Sequence, residues 1–324
     1  MLNLKNLLIA FFVLLTTDAA FAASAPVTCG STLTEQIYTL PADLDCSTAT
    51  APITVRGRAV LNLNNHVYAG QIILDGRRAQ LREGTINCSY QADFQAEDPC
   101  GVVVQGTGNH TVQNVLILYP AADPGIEVMS DNNSLISNTV FSIGEFGAVV
   151  VWGNNNILQQ NRAVLNREDG IGTLGFFVGG NANQLTANYA RLQSAGYITQ
   201  GDNNVLVQNV HAGVPDNTSV TDEGFGIAGS GNRLTGNVVT NEDYGIFVFT
   251  QSNTIENNIA IRNGVDLLDG NTNCDSNIWQ NNIFQTSNQP CIGGTTIPLA
   301  STKALETFSA LLNRVHTRRE QRVR

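Results

Sequence analysis

A phrase of the form Asn-x-Leu-x-x-Asn returns along this chain about every two dozen residues. Its Asn pairs are Asn133/Asn138, Asn156/Asn161, Asn183/Asn188, Asn204/Asn209, Asn232/Asn237, Asn253/Asn258 and Asn277/Asn282. The apolar position holds Leu135, Leu158, Leu185, Leu206, Leu234, Ile255 and Trp279. An earlier pair, Asn109/Asn114, has Thr111 in that place. A short phrase returning at such a period makes each period one structural unit that buries its apolar face by stacking on the next.

A second phrase, Gly followed by alternating apolar residues, comes after each Asn pair: Gly125-Ile126-Glu127-Val128, Gly147-Ala148-Val149-Val150, Gly196-Tyr197-Ile198 and Gly245-Ile246-Phe247-Val248. Alternation with period two in short runs reads as strand. Between Pro26 and Pro298 no segment has the length and 3.6-residue periodicity of an amphipathic helix. Short strands at this period, separated by Asn and Gly turns and lacking crossover helices, are satisfied by coiling the chain so that each strand pairs with its equivalent one turn later. The expected fold is therefore all-β, a parallel β-helix. Asn suits tight turns because it tolerates left-handed backbone. Equivalent Asn on successive coils, about 4.8 Å apart, can pass amide hydrogen bonds from coil to coil, which makes their main role structural.

The Asn-x-Leu-x-x-Asn coils, with the opening stretch Leu61-Asn62-Leu63-Asn64-Asn65-His66, resemble the right-handed parallel β-helix repeat proteins of the pectate-lyase-like superfamily, including its NosD-type periplasmic members. The resemblance implies a right-handed, single-stranded solenoid of about ten coils. It implies no single activity, because this architecture carries lyases, hydrolases, epimerases, adhesins and non-enzymes.

Lys5, the apolar run Leu7 to Leu15 and Ala20-Phe21-Ala22 have the three parts of a secretory signal. The expected division is therefore a signal peptide at 1–22, an N-terminal cap at 23–50 and the β-helix at 51–297, followed at 298–324 by a capping helix and basic tail. Leu305, Phe308, Leu312 and Val315 share one helical face within Thr302 to Val315. No stretch has the length to span a bilayer as a helix. The six Cys suit an oxidising compartment, secreted or periplasmic. They fall as local pairs, Cys29 with Cys46, Cys88 with Cys100 and Cys274 with Cys291, although spacing alone does not fix connectivity.

A formal net charge of −10 argues against nucleic acid as a partner, and against polyanionic glycans unless a cation bridges them. Four His and one Met beyond the initiator make no copper set. Of these His, His66 belongs to the opening phrase, and His211 occupies a column otherwise filled by Val140, Ala163, Ala190, Val239 and Ala260.

Chemistry is expected where the loops vary. The gap from the second Asn to the next strand Gly is longest between Asn209 and Gly226, which makes Gly213 to Phe225 a projecting segment. The same turn carries acids in coil after coil: Asp123, Glu145, Glu168, Asp169, Asp222, Glu223, Glu242 and Asp243. Carboxylates at β spacing suit glycosidase chemistry, raise one another's pKa, or hold Ca²⁺ at Asp222, Glu223 and Asp243. They equally suit a plain solvated turn. Tyr197 and Tyr244, beside Glu145, are the expected sugar contacts, and Arg191 is the candidate base of a lyase. Arg-x-Lys, Gly-His-Gly and Asp-Pro-His phrases are absent.

Three readings follow. The first is an exported β-helix that binds a polysaccharide along the acidic, aromatic turn face. The second is a lyase, glycosidase or epimerase using Glu168, Asp169, Asp222, Glu223 and Asp243. The third is a structural or adhesive surface protein.

Overall fold

A computed structural model describes residues 26–49, 51–88, 100–120, 124–142, 147–165, 174–191, 194–213 and 222–298. The expected signal peptide and C-terminal helix lie outside these residues.

The chain forms a right-handed parallel β-solenoid. Its first sheet has eleven strands, from Thr32–Thr34 to Val265–Asp269, which agrees with the expected coil count. A second strip holds the Asn-x-Leu strands, among them Ile157–Gln159, Gln184–Thr186 and Val205–Val207. A third strip holds Arg162–Leu165, Tyr189–Arg191, Val210–Ala212, Val238–Thr240 and Ile259–Ile261. Two longer strands, Gln80–Asn87 and Thr111–Leu118, run through both strips. Residues 32–45, within the segment expected as a cap, already pair in parallel with the following coil.

The register keeps Leu135, Leu158, Leu185, Leu206, Leu234, Ile255 and Trp279 in one buried column. Because the side-chain period of a strand is two, a slip of one residue would turn that column to solvent.

The left-handed backbone expected of the ladder Asn is taken instead by the residue before it, at every ladder Asn except Asn277. Positive φ occurs at Asn132, Ser137, Asn155, Gln160, Ala182, Ala187, Asn203 and Gln208. This placement aims the following Asn inward, where its Oδ1 accepts the backbone N–H of its counterpart one coil earlier. In the first column these bonds run from Asn133 to Asn277 at 2.7–2.8 Å. In the second column each Nδ2 also donates to the next Oδ1 at 3.0–3.1 Å and to a backbone carbonyl two coils from that acceptor, as Asn209 does to Leu185 and Asn237.

The same rule corrects the register of the early pair. Asn109 and Asn114 are the left-handed residues (φ 62° and 55°), and His110 and Val115 occupy the ladder positions. Val112, not Thr111, pairs with Leu135. His110 closes the first column: its Nδ1 accepts from Ala79 N–H at 3.1 Å while Nε2–H donates to the Gln105 carbonyl at 2.8 Å.

Of the strand Gly, Gly147 has a positive φ (96°), as a turn requires, but others have a different role from the turn expected of them. Gly196 and Gly224 lie within strands and Gly125 just before one, and at each a Cβ would strike the inward residue of the third strip in the same coil: His211, Val239 and Val140 respectively. These are close approaches at the corner of the solenoid, not turns.

Disulfides join Cys29–Cys46, Cys88–Cys100 and Cys274–Cys291, with Cα separations of 5.5, 5.8 and 6.1 Å, matching the sequential pairing. At the C-terminal end Trp279, Phe284 and Ile292 make the last core layer. There Asp269 is saturated by Asn271, Asn277 and the Trp279 indole N–H. Among the described residues no helix is long and apolar enough to cross a membrane.

Candidate functional site

Parity along the first-sheet strands decides which aromatic rings reach solvent. In Gly147-Ala148-Val149-Val150-Val151-Trp152, Val149 and Val151 point inward, so Trp152 points out and is 50% exposed. The same parity turns out Met129, Phe177, Ile198, Phe247 and Phe249 in other coils. Met129 and Phe249 are 55% and 45% exposed. Large apolar groups exposed on one face of a rigid sheet mark a binding surface more readily than scattered ones do.

The rings form two groups. Trp152 and Phe177 lie with centroids 4.9 Å apart, and the Trp152 Nε1–H donates to Glu127 Oε1 at 3.1 Å, which fixes the indole. Three coils beyond Phe177, Phe247 contacts Phe249 at 3.6 Å and Tyr244 at 5.5 Å. At about 4.8 Å per coil, Trp152 and Phe249 stand roughly 19 Å apart along the axis. Glycines flatten the surface between them. A Cβ on Gly179 would come within 2.8 Å of the Trp152 ring, and one on Gly226 would overlap the Glu223 carboxylate and approach Ile198 at 2.7 Å.

Glu223 thus folds back over Gly226 in the middle of the apolar face. Burial pushes its carboxyl up to about 7. The expected cause, a neighbouring carboxylate, is not what raises it. From Ile126–Val128 to Val265–Asp269, the described outward positions of this sheet carry no Lys or Arg.

Sequence reasoning placed the sugar contacts differently. Tyr197 does not face solvent: it is fully buried, stacked between Phe176 at 4.9 Å and Phe225 at 4.6 Å, because its position in the strand has inward parity. Tyr244 is half-buried at the margin of the outer face. Trp152, Phe177, Phe247 and Phe249 were not among the expected site residues. Counting alternation from the inward Val and Ile of each strand would have found them.

Of the acids, Glu145, Glu168 and Asp169 lie outside the described residues. Asp222 and Asp243 are brought together one coil apart, but Asp222 is buried, and its backbone N–H donates to Asp243 Oδ2 at 3.3 Å. Asp243 thereby holds a turn. Among the described residues no group of three or more His, Cys, Asp or Glu is placed to hold a metal ion. Arg191 is exposed on the third strip, away from the aromatic face.

A further polar pair lies inside. His211 Nε2 is hydrogen-bonded to Glu242 Oε1, with side chains 0% and 3% exposed. It occupies the core column expected of His211, and it is sealed from solvent. It belongs to the packing of the corner.

A family model described as right handed beta helix region matches residues 86–175. Among solved structures, the surface adhesin PfbA of Streptococcus pneumoniae is similar with a TM-score of 0.52 and 10% identity, over 78% of this chain and 75% of that one. A mannuronic acid specific polysaccharide family 6 lyase from human gut microbiota aligns over 81% and 77%, at 13% identity and a TM-score of 0.28. At 10% identity the likeness to PfbA concerns the fold alone. No curated protein sequence matches the chain.

Proposed function

We propose that this is an exported protein that binds an uncharged polysaccharide lengthwise along the outer face of its first sheet. The observation that carries the reading is the pair of exposed ring groups, Trp152 with Phe177 and Phe247 with Phe249, on one rigid face. Sugar rings present apolar C–H faces to aromatic side chains, and a straight sheet spaces the rings for an extended polymer. The charge of the face supports a neutral ligand. It bears Glu127 and Glu223 and no described cation, so a polyuronate would meet repulsion without a counter-charge.

The test is retention of the mature protein on immobilised neutral and uronic polysaccharides, with titration of oligomers of any polymer that retains it. Trp152→Ala and Phe249→Ala should each weaken binding by tenfold or more, while Ile157→Ala on the second strip should not. Retention on no neutral polymer, or retention unmoved by both ring substitutions, would remove this reading.

One observation favours a hydrolytic alternative, namely a Glu223 carboxyl with a proton to give near neutrality. Product chromatography on the same polymers separates the two. Oligosaccharides that disappear with Glu223→Gln establish catalysis, and intact polymer establishes a binder.

A further inference from the structure

A polar row stands on the turn between the first sheet and the second strip, outside the two buried Asn columns. Asp131, Asn154, Asn181 and Asp202 each follow, by two residues, the outer position that carries Met129, Trp152, Gly179 and Gln200. They are exposed or half-buried, one per coil, at a spacing of about 4.8 Å. The row therefore borders the aromatic face from the coil before Trp152 to the coil after Phe177.

Each side chain in the row is locked. Asp131 Oδ1 accepts the Asn154 backbone N–H at 2.7 Å, and Oδ1 of Asn154, Asn181 and Asp202 accepts likewise from Asn181, Asp202 and Ser230 at 2.7–2.8 Å. The sense is opposite to that of the buried columns, where Oδ1 accepts from the coil before. Backbone carbonyls of Asn154, Asn181, Asp202 and Ser230 hold the turn separately, accepting from Asn132, Asn155, Ala182 and Asn203 at 2.9–3.0 Å. With Oδ1 engaged, the second polar atom of each side chain is fixed in direction: Oδ2 of Asp131 and Asp202, Nδ2 of Asn154 and Asn181. Of these four atoms, only Asn154 Nδ2 has a partner among the described residues, Asp131 Oδ1 at 3.2 Å, and its second proton remains to donate.

We propose that this row reads the hydroxyl edge of the glycan, one sugar per coil, while the aromatic face carries the sugar rings. The inference rests on the glycan reading above and makes Asp131, Asn154, Asn181 and Asp202 its specificity-determining residues. A carboxylate Oδ2 accepts a sugar O–H and an amide Nδ2 donates to a sugar oxygen, so the row presents acceptor, donor, donor, acceptor in turn. Because these atoms are already held, little ordering is left for binding to accomplish. One group per coil also selects the shape of the polymer. A chain that keeps register must advance by about one coil, roughly 4.8 Å, per sugar, as extended ribbons do when pyranoses are linked through opposite equatorial positions. A helically coiled glucan would leave the row. The ligand class is thus a neutral, extended polysaccharide of the β-1,4-linked kind.

Calorimetric titration of the mature protein tests it, with β-1,4-linked hexasaccharides of glucose, mannose and xylose and the α-1,4-linked hexasaccharide of glucose. At least one β-linked chain should bind about tenfold more tightly than the α-linked one. Asp202→Asn keeps the Oδ1 bond but turns the outward acceptor into a donor, and should weaken that binding about tenfold at an unchanged melting temperature. Asn181→Asp combined with Asp202→Asn restores the net charge but reorders the row, and should weaken binding as much. The same kind of exchange on the second strip, Gln184→Glu, should do nothing. Binding that falls with Trp152→Ala but ignores both row variants overturns the proposal and leaves the glycan reading intact. Affinity and melting temperature falling together overturn it as well, since the row then only holds the turn. So does the failure of every β-linked chain to outbind the α-linked one, and polymer retention then decides whether the glycan reading falls with it.

Discussion

The imidazole of His211 occupies the space that a side chain on Gly196 would fill: a Cβ there would overlap both Cγ and Nδ1 of the ring. The two residues belong to the same coil, and neighbouring coils make the same trade in other sizes. Val239 sits over Gly224, Val140 over Gly125, and Ala190 over Gly175, where a Cβ would stand 2.9 Å from the Ala190 methyl. The corner holds a fixed volume that the two positions divide between them.

Gly196→Ala should therefore destabilise the protein through overpacking by about 1–3 kcal/mol. The cost should shrink in the His211→Ala background, where the corner becomes Ala over Ala, as the coil of Ala148 and Ala163 already has it. Urea midpoints of the four members of the double-mutant cycle measure the coupling. Equal costs in both backgrounds would mean that the ring and Gly196 do not compete for space.

Glu242→Ala should destabilise more than its loss of contact area suggests. It leaves His211 Nε2 buried with no acceptor, a penalty of about 1–3 kcal/mol. Glu242→Gln keeps an acceptor and should recover most of the loss. Neither change should alter glycan retention, because the pair is sealed from the outer face. Thermal melts and retention on the same samples check both halves.

The fold was legible because a solenoid writes its register into the sequence once per coil. The Asn pairs and the Leu column depend on spacing alone, and the local Cys pairs are the simplest pairing that spacing suggests. What spacing does not carry is direction. The Asn at 109 and 114 fit the phrase, but they are one residue out of register, since Asn is favoured both at a left-handed turn and in the ladder that follows it. Tyr197 and Trp152 lie on comparable strands, and only parity relative to Thr199 and Val151 separates a core ring from an exposed one. The raised pKa of Glu223 could not be read from its acidic neighbours, because its cause is burial over Gly226.

The two Asn columns should not be equal in strength. Asn204 and Asn209 stand in the same coil, and each Oδ1 accepts a backbone N–H, from Asn183 and Asn188 respectively. Asn209 Nδ2 makes two further bonds, whereas the buried Nδ2 of Asn204 has no partner. Asn209→Ala should cost more than Asn204→Ala by at least one net hydrogen bond, about 1 kcal/mol. Comparing their urea midpoints decides it, and the reverse order would show that the amide chain adds nothing to the backbone bonds.

Position 208 tests the turn independently of the ladder. Gln208 has φ 55° with its side chain exposed. A β-branched residue is penalised there, so Gln208→Val should lose about 1–2 kcal/mol relative to Gln208→Asn. Melting temperatures of the two variants provide the comparison. No difference between them would mean that the neighbouring coils, and not local preference, hold this backbone.

Glu223 should leave a mark on the pH dependence of stability. Its folded-state pKa, about 7, lies above the ordinary value of 4.5, so the folded protein holds the proton more tightly than the unfolded chain. Stability from this group is therefore greatest below about pH 4.5 and declines as pH rises towards 7, where the carboxylate forms under partial burial. Carboxylates with lowered pKa, such as Glu256 beside Gln280 and Arg233, act in the opposite sense at lower pH, so total stability does not isolate the effect. The difference between parent and Glu223→Gln does. Gln cannot ionise, and its advantage over the parent should grow from pH 4.5 to pH 7 and then level off. A difference flat across that window would place the Glu223 pKa at its ordinary value and end its case as a proton donor.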